Sequence, residues 1–257
     1  MKTLRSEVTR WLYPAVVLTV VFLLWEVLGR SGQRTVTSTP LPTEVFTSLA
    51  HNPGFYLHHA AVTIGEALGG LVVATVAALL AASLFALSNT ARSSFMPIVI
   101  GSQTIPLVAV APLLSPLLGD GFISMIVVAA WLCWFPAVVS ATHGLLNVDR
   151  RHLALFQSYG ASRLDIFWKL RAPNAAPSLV AGVRAAAGFA LIGAIVVEYT
   201  NAKEGLGAFI MAQTIHRTDS VKLFGVVVVA AIAGLALTEG AYALTRWSLR
   251  RYLPPTP

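Results

Sequence analysis

Long stretches of this chain carry no charged side chain, and they constrain its fold more than any other feature. No Asp, Glu, Lys or Arg falls between Glu66 and Arg92, and none falls between Arg92 and Asp120. A helix that crosses the hydrocarbon core of a bilayer needs about 20 mostly apolar residues. Only 11% of the 257 residues are charged, whereas soluble domains have roughly 25%. The composition therefore excludes an ordinary soluble enzyme and a disordered chain, and it predicts a polytopic membrane protein.

The long apolar runs predict an all-α fold with six transmembrane helices, because β-barrels have short alternating segments instead. The first run follows three basic residues, as in a signal peptide, but no small-x-small cleavage site comes after it, so we expect it to be retained. We divide the chain no further and predict a single membrane domain over residues 1–257. The six predicted spans lie within residues 11–29, 60–87, 95–118, 121–146, 175–199 and 223–244.

The basic residues predict the orientation of these spans. The formal net charge is +7, and in a membrane protein we expect this excess to face anionic lipid rather than nucleic acid. With both termini in the cytoplasm, the loops on that side hold twelve Lys and Arg residues and the outer loops hold five. Cytoplasmic loops are enriched in these residues, so we predict that both termini are cytoplasmic.

The loop at residues 147–174, named here the 147–174 segment, has the pattern of two short helices joined at Gly160. Ser162 is the expected N-cap of the second helix, with Asp165 in the capping-box position. Helical spacing puts Leu164, Phe167, Trp168 and Arg171 on one face, and Pro173 ends the helix. Periodicity alone leaves two alternatives open: an amphipathic helix on the bilayer surface, or a docking element for a groove on a cytoplasmic partner.

The 147–174 segment resembles the cytoplasmic "EAA" loop of ATP-binding-cassette (ABC) importer permeases of the binding-protein-dependent type. Gly160 takes the place of the motif glycine, and Leu170, Ala172 and Pro173 take its last three places. The motif glutamate is missing, since Ala154 stands at that position. Three further stretches look like the sulfonate, taurine, nitrate and pyrimidine-precursor branch of this family, and they are TPLPTEV (39–45), SQTIPLVAVAPLLSPLLGDG (102–121) and VVEYTNAKEGLGAFI (196–210).

The resemblance implies a multi-pass permease subunit of a bacterial plasma membrane importer that works by alternating access. It implies a second permease copy, expected to make a homodimer, two ABC ATPase subunits and an external substrate-binding protein. ATP and Mg would be bound by the ATPase subunits, because this chain lacks the GxxxxGK[ST] phosphate loop. We expect no cofactor in this chain and no enzymatic activity of its own. The branch transports small organic anions and planar heterocycles of the pyrimidine-precursor or riboflavin kind.

The resemblance also selects candidate coupling residues for contact with the ATPase. We expect Leu164 and Phe167 to be the anchors buried in the ATPase groove. The complete predicted set is Gly160, Ala161, Ser162, Leu164, Asp165, Phe167, Trp168 and Pro173.

Polar and aromatic residues within the predicted spans are candidates for the substrate pathway. Gln103 and Thr104 precede Pro106 and could line the pathway at a broken helix, or could satisfy carbonyls freed by the proline. Trp131 and Trp134 could stack on a planar substrate or simply pack. Glu198 could act in gating or structure, or could lie at the interface with access to water.

Other ionisable residues leave further alternatives open. Glu66 and Glu239 could lie near the headgroups, and Arg184 could snorkel to the cytoplasmic interface, pair with a carboxylate or contact the partner loop. The six histidines have no ligand spacing, so we predict no metal site, and we find no nucleophile–base–acid set. An ion-coupled secondary transporter is the main rival function, since Glu66, Glu198 and Glu239 permit it. The stretch from Gly160 to Pro173 argues against that rival.

Overall fold

The computed structural model describes residues 2–30, 40–106, 121–216 and 219–253, with a few isolated positions between 107 and 120. Within these residues every regular element is helical. A π-helical turn, Phe167–Arg171, lies between α7 and α8, and a 3-10 turn, Arg250–Tyr252, follows α11. The helices are α1 Lys2–Arg30, α2 Pro42–His51, α3 Pro53–Leu87, α4 Asn89–Ser102, α5 Phe122–Leu146, α6 Arg150–Ser158, α7 Arg163–Ile166, α8 Ala172–Asn174, α9 Ala176–Asn201, α10 Leu206–His216 and α11 Ser220–Ser248.

Four of the described helices, α3, α5, α9 and α11, are long and apolar enough to cross a membrane. They coincide with the predicted second, fourth, fifth and sixth spans. The predicted first span lies within α1, a helix of 29 residues. The all-α, polytopic fold class is therefore confirmed.

The predicted third span contains a helix end. Helix α4 stops at Ser102, and Gln103 and Thr104 form a turn before Pro106. The Ser102 hydroxyl donates to the carbonyl of Val99 at 2.7 Å, and the Thr104 hydroxyl donates to that of Gly101 at 2.8 Å. These two side chains satisfy carbonyls at the end of α4, whereas the role left open for Gln103 and Thr104 concerned carbonyls freed by Pro106. Pro112, Pro116 and Asp120 lie outside the described residues.

Helices α3, α5 and α9 form the centre of the bundle, where α5 packs against both α3 and α9. Their contact faces are lined by small side chains, such as Ala67, Ala129 and Ala190, which are fully buried. A Cβ atom added at Gly193 would lie 2.9 Å from the Cα of Ala129, so only glycine fits there. Small residues let helix backbones approach closely, which is how helices pack in a bilayer that offers no hydrophobic driving force between them.

The bundle has two ends. Helices α3, α5 and α11 run from one end to the other in the same direction, and α9 runs back between them, as its contacts with α5 at Gly144–Ser178 and Gly193–Ala129 show. One end holds the turn at residues 205–207, named here the 205–207 turn. The opposite end holds the 147–174 segment. Large apolar side chains on the outward faces, such as Leu80 and Leu235, are exposed, as expected for surfaces that face lipid.

Candidate functional site

The 147–174 segment is built from two capped helices with a sharp reversal between them. Asp149 caps α6 by accepting from the backbone N–H of Arg151 at 2.8 Å. Two residues after the end of α6 comes Gly160, which has φ of 71°, a left-handed conformation that glycine adopts without penalty. The backbone N–H of Ala161 donates to the carbonyl of Phe156, as in a Schellman motif. The predicted reversal at Gly160 is therefore confirmed.

Ser162 and Asp165 form the predicted cap at the start of α7. The Ser162 hydroxyl accepts from the backbone N–H of Asp165 at 3.1 Å and donates to its carboxylate at 2.5 Å. Lys169, one turn further along, donates to the same carboxylate at 2.5 Å. Hydrogen bonds from Lys169 and Ser162 lower the pKa of Asp165 to about 2. This carboxylate is therefore ionised at neutral pH, beside the positive end of the helix dipole.

The side chains of Leu164, Phe167 and Trp168 differ in burial. Phe167 is only 6% exposed and packs in this chain's own core, in a cluster that includes Ala82, Ala141 and Ala175. Trp168 is 68% exposed and Leu164 is 59% exposed. The prediction that Leu164, Phe167 and Trp168 share one face is wrong for Phe167. Successive residues of a helix point about 100° apart, and the neighbouring helices cover the direction of Phe167 but not that of Trp168.

A polar contact attaches the 147–174 segment to the bundle, and a second one joins the two ends of the segment. The guanidinium of Arg171 donates to the carbonyl of Ala86 in the last turn of α3. Burial lowers the pKa of Arg171, and the nearby charge of Arg92 adds to the effect, but an arginine remains charged in a protein. The side-chain amide of Asn174 donates to the carbonyl of Asn147 at 2.9 Å. Pro173 lies in the first turn of α8, where its missing N–H is tolerated.

The predicted pathway residues occupy three separate places. Gln103 and Thr104 are exposed in the turn after α4. Trp131 and Trp134 line an open cleft of about 530 Å³ between α3, α4 and α5, together with Phe85 and other apolar side chains. Glu198 lies at the 205–207 turn and is 1% exposed. The interfacial position with access to water, which the sequence left open for Glu198, does not hold in this chain.

The 205–207 turn is attached by three successive backbone N–H groups. The N–H of Gly205 donates to Nδ1 of His59 at 3.1 Å, and that of Leu206 donates to the hydroxyl of Thr63 at 2.9 Å. The N–H of Gly207 donates to Oε2 of Glu198 at 2.7 Å. Gly205 has φ of 108°, where residues with a side chain are strained. Side chains of α3 and α9 thus jointly hold the N-terminus of α10.

Sequence reasoning missed the roles of His59 and Thr63 at this turn. His59 was considered only as a metal ligand, and the uncharged Thr63 was not considered. Together with Glu66 they follow an i, i+4, i+7 spacing, which puts all three on one face of α3. That periodicity of polar residues within an otherwise apolar run could have revealed a polar stripe that faces the bundle interior.

Arg184 pairs with the carboxylate of Glu239, between α9 and α11. Its guanidinium carbon also lies 4.8 Å from the centre of the Tyr242 ring, a cation–π distance. Of the alternatives for Arg184, pairing with a carboxylate is therefore confirmed.

The two glutamates that the sequence placed near the headgroups differ in burial. Glu239 is exposed, whereas Glu66 is 4% exposed and lies inside the bundle. Within the described ranges no group of three or more His, Cys, Asp or Glu side chains is placed to hold a metal ion.

A bundle of long apolar helices, four of which could cross a membrane, is the architecture of a polytopic membrane protein. Residues 70–253 match the family described as "Binding-protein-dependent transport system inner membrane component". This match covers more than half of the chain, and the chain belongs to that family of ABC importer permeases.

Individual relatives agree with the family match. An ABC transporter permease protein of Haemophilus influenzae is 30% identical over 244 residues, covering 95% of this chain and 98% of the relative. A formylaminopyrimidine transport permease protein of Halalkalibacterium halodurans is 30% identical over 77% of this chain and 79% of the relative. A taurine transport system permease protein of Escherichia coli is 30% identical over 72% and 70%, respectively. These relatives are transport permeases and not enzymes, so the chain is a membrane-embedded component of an importer.

Proposed function

We propose that this chain, as a single membrane domain, forms the substrate pathway of an ABC importer by alternating access. In this proposal the 147–174 segment docks on an ABC ATPase subunit, which binds ATP and Mg. Two copies of the chain and two ATPase subunits make up the transporter, and an external binding protein delivers the substrate. Family membership supports this assembly and counts against an ion-coupled secondary transporter.

One observation carries the docking role: Leu164 and Trp168 are exposed on a segment that is otherwise fixed to the bundle. Phe167 attaches the segment to the bundle by packing in the apolar cluster with Ala82, and Arg171 attaches it by donating to the carbonyl of Ala86. Exposed aromatic and aliphatic side chains on a rigid element are the usual anchors of an interface. A segment that is already held in one conformation also loses little conformational entropy on binding.

The charge distribution supports a cytoplasmic position for this segment and for both chain termini. Arg163 and Lys169 lie in the segment, and Arg246 and Arg250 lie at the same end of the bundle. The opposite end, at the 205–207 turn, has Lys203 and Lys222 accompanied by Glu204 and Asp219. The excess of positive charge at one end is typical of cytoplasmic loops.

The substrate we propose is a small organic anion or a planar heterocycle, as the names of the taurine and formylaminopyrimidine relatives suggest. The cleft with Trp131 and Trp134 favours the heterocycle, because indole rings stack on flat rings and the described lining has no charged side chain. Competition between a labelled pyrimidine and taurine for uptake into proteoliposomes of the complete transporter would separate the two classes.

The docking role is tested by co-expression with the ATPase encoded nearest to this chain, followed by purification through a tag on this chain. We expect stoichiometric ATPase with the unchanged chain, and its loss in Leu164→Glu and Trp168→Glu. Trp247→Glu is the matched control, since Trp247 is equally exposed at the same end of the bundle.

Retention of the ATPase in both segment variants would contradict the docking role. Transport driven by an ion gradient, by a chain that never retains an ATPase, would contradict the importer mechanism as a whole.

A further inference from the structure

Two glutamates meet inside the bundle at the 205–207 turn. Glu66 comes from α3 and Glu198 from α9, and both are more than nine-tenths buried. Their carboxyl groups lie within hydrogen-bonding distance of each other. The Thr63 hydroxyl, one turn before Glu66, donates to the carbonyl of His59 and accepts from the N–H of Leu206 in the same turn. Oε2 of Glu198 accepts from the backbone N–H of Gly207. Oε1 of Glu198 and Oε2 of Glu66 receive no donor from any described residue.

No described cation neutralises this pair. Neither carboxylate forms an ion pair with a Lys or Arg side chain of the described ranges. Helix α5, which packs against both α3 and α9, has no ionisable side chain from residue 122 to 132. The pair is therefore two acidic groups in contact, in surroundings without a counter-charge.

The other titratable groups at this end of the bundle are already engaged or point elsewhere. His59 uses Nδ1 to accept from Gly205. On the exposed side of this end, His58 contacts Glu204 at 3.4 Å and Lys222 pairs with Asp219 at 3.2 Å, while Lys203 is exposed. The phenols in the neighbourhood are Tyr56, which hydrogen-bonds Ser48, and half-buried Tyr199.

We propose that Glu66 and Glu198 form a proton-binding site that holds one proton between the two carboxyl groups. Two carboxylates in contact cannot both be ionised without strong repulsion. A carboxyl group can donate a hydrogen bond only when it is protonated. With the proton on Glu66, this side chain donates to Glu198, while Glu198 keeps its negative charge and accepts from the N–H of Gly207.

The site acts on the 205–207 turn. Glu198 is both the partner of Glu66 and the acceptor for Gly207, so its position decides whether α10 stays attached to α9. Loss of the proton places two negative charges in contact and displaces the Glu198 carboxylate, which removes the acceptor. The proton therefore stabilises the attachment of the 205–207 turn to the bundle. This effect depends neither on which substrate is transported nor on an ATPase.

Infrared spectroscopy of the purified chain at neutral pH tests the proposal directly. A protonated buried carboxyl group has a C=O stretching band that an ionised carboxylate lacks. We expect such a band in the unchanged chain, shifted by exchange into D2O, and its loss in Glu66→Gln. Glu204→Gln is the matched control, since Glu204 lies beside the same turn but is exposed and pairs with His58; we expect the band to persist there. Absence of the band in the unchanged chain, or its presence in Glu66→Gln, would overturn the proposal.

Hydrogen exchange at the amides of residues 205–207 provides a second test that does not depend on the infrared assignment. In this proposal the folded chain holds a proton that the unfolded chain releases, so rising pH favours opening by up to about tenfold per pH unit. After correction for the intrinsic rate, we expect protection of these amides to fall as pH rises in the unchanged chain. Glu66→Gln retains the donor without the titration, so its protection should not depend on pH.

The same pH dependence in Glu66→Gln would overturn the proposal, since another group would then be responsible. Protection that depends on added sodium or calcium instead of pH would also overturn it, because a bound cation would then take the place of the proton.

Discussion

Gly205→Ala is the substitution for which the structure gives the sharpest expectation. At φ of 108° the backbone of Gly205 lies where a side chain is strained, and an added Cβ would overlap the carboxylate of Glu198. The strain costs about 1–3 kcal/mol. Displacement of Glu198 breaks its hydrogen bond with the N–H of Gly207, and a bond to a charged group contributes about 1.5–3 kcal/mol. We expect a loss of about 2.5–6 kcal/mol in the free energy of unfolding.

Gly160→Ala is the matched control for this experiment. Gly160 also has a positive φ, of 71°, but an added Cβ would meet nothing within 4 Å. Its replacement therefore carries only the left-handed backbone cost, about 1–2 kcal/mol. The measurement is the free energy of unfolding of each purified variant in mixed detergent micelles, with helical circular dichroism as the probe. If Gly205→Ala destabilises the chain no more than Gly160→Ala, the reasoning about the 205–207 turn is refuted.

Three further predictions concern packing and charge. Phe167→Ala should lower the free energy of unfolding by about 3–5 kcal/mol because it empties a buried position, whereas Trp168→Ala should change it by less than about 0.5 kcal/mol; an equal loss in both would contradict their assigned burial. The pKa of the Asp165 carboxyl is lowered to about 2. The ionised carboxylate therefore stabilises the folded state above the unfolded pKa of 3.8, and this stabilisation is lost as pH falls through 2. NMR titration of a labelled chain should show a midpoint near this pH and no step near neutrality. Gly193→Ala should cost about 1–3 kcal/mol through overpacking, whereas Gly240→Ala, which meets nothing within 4 Å, should be neutral or stabilising in the same unfolding assay.

The bundle was largely predictable because charge-free runs report directly on membrane spans. The helix reversal at Gly160 and the cap formed by Ser162 and Asp165 were predictable too, since each depends only on residues within one or two turns. The second and fourth spans were placed by the same rule, and they appear as α3 and α5.

What the sequence could not supply depends on contacts between distant parts of the chain. The burial of Phe167 depends on contacts with side chains of α3, α5 and the residue before α9, which lie far from it in the sequence or beyond the helix that carries it. The meeting of Glu66 with Glu198 depends on how α3 and α9 are packed side by side, and no local pattern records that. The residues predicted for one substrate pathway, among them Gln103 and Trp131, were selected by chemical type, and chemical type does not place them in the same cavity.

The attachment of the 147–174 segment has a mechanical consequence. Arg171 holds the last turn of α3, while Phe167 lies among side chains of both α3 and α5 and of the start of α9. A push on Trp168 is therefore delivered to three helices at once. Because α3, α5 and α9 touch through alanine and glycine, there are few long side chains between them to absorb the displacement. The three helices should therefore tilt together as one rigid body when a force acts on the exposed Trp168.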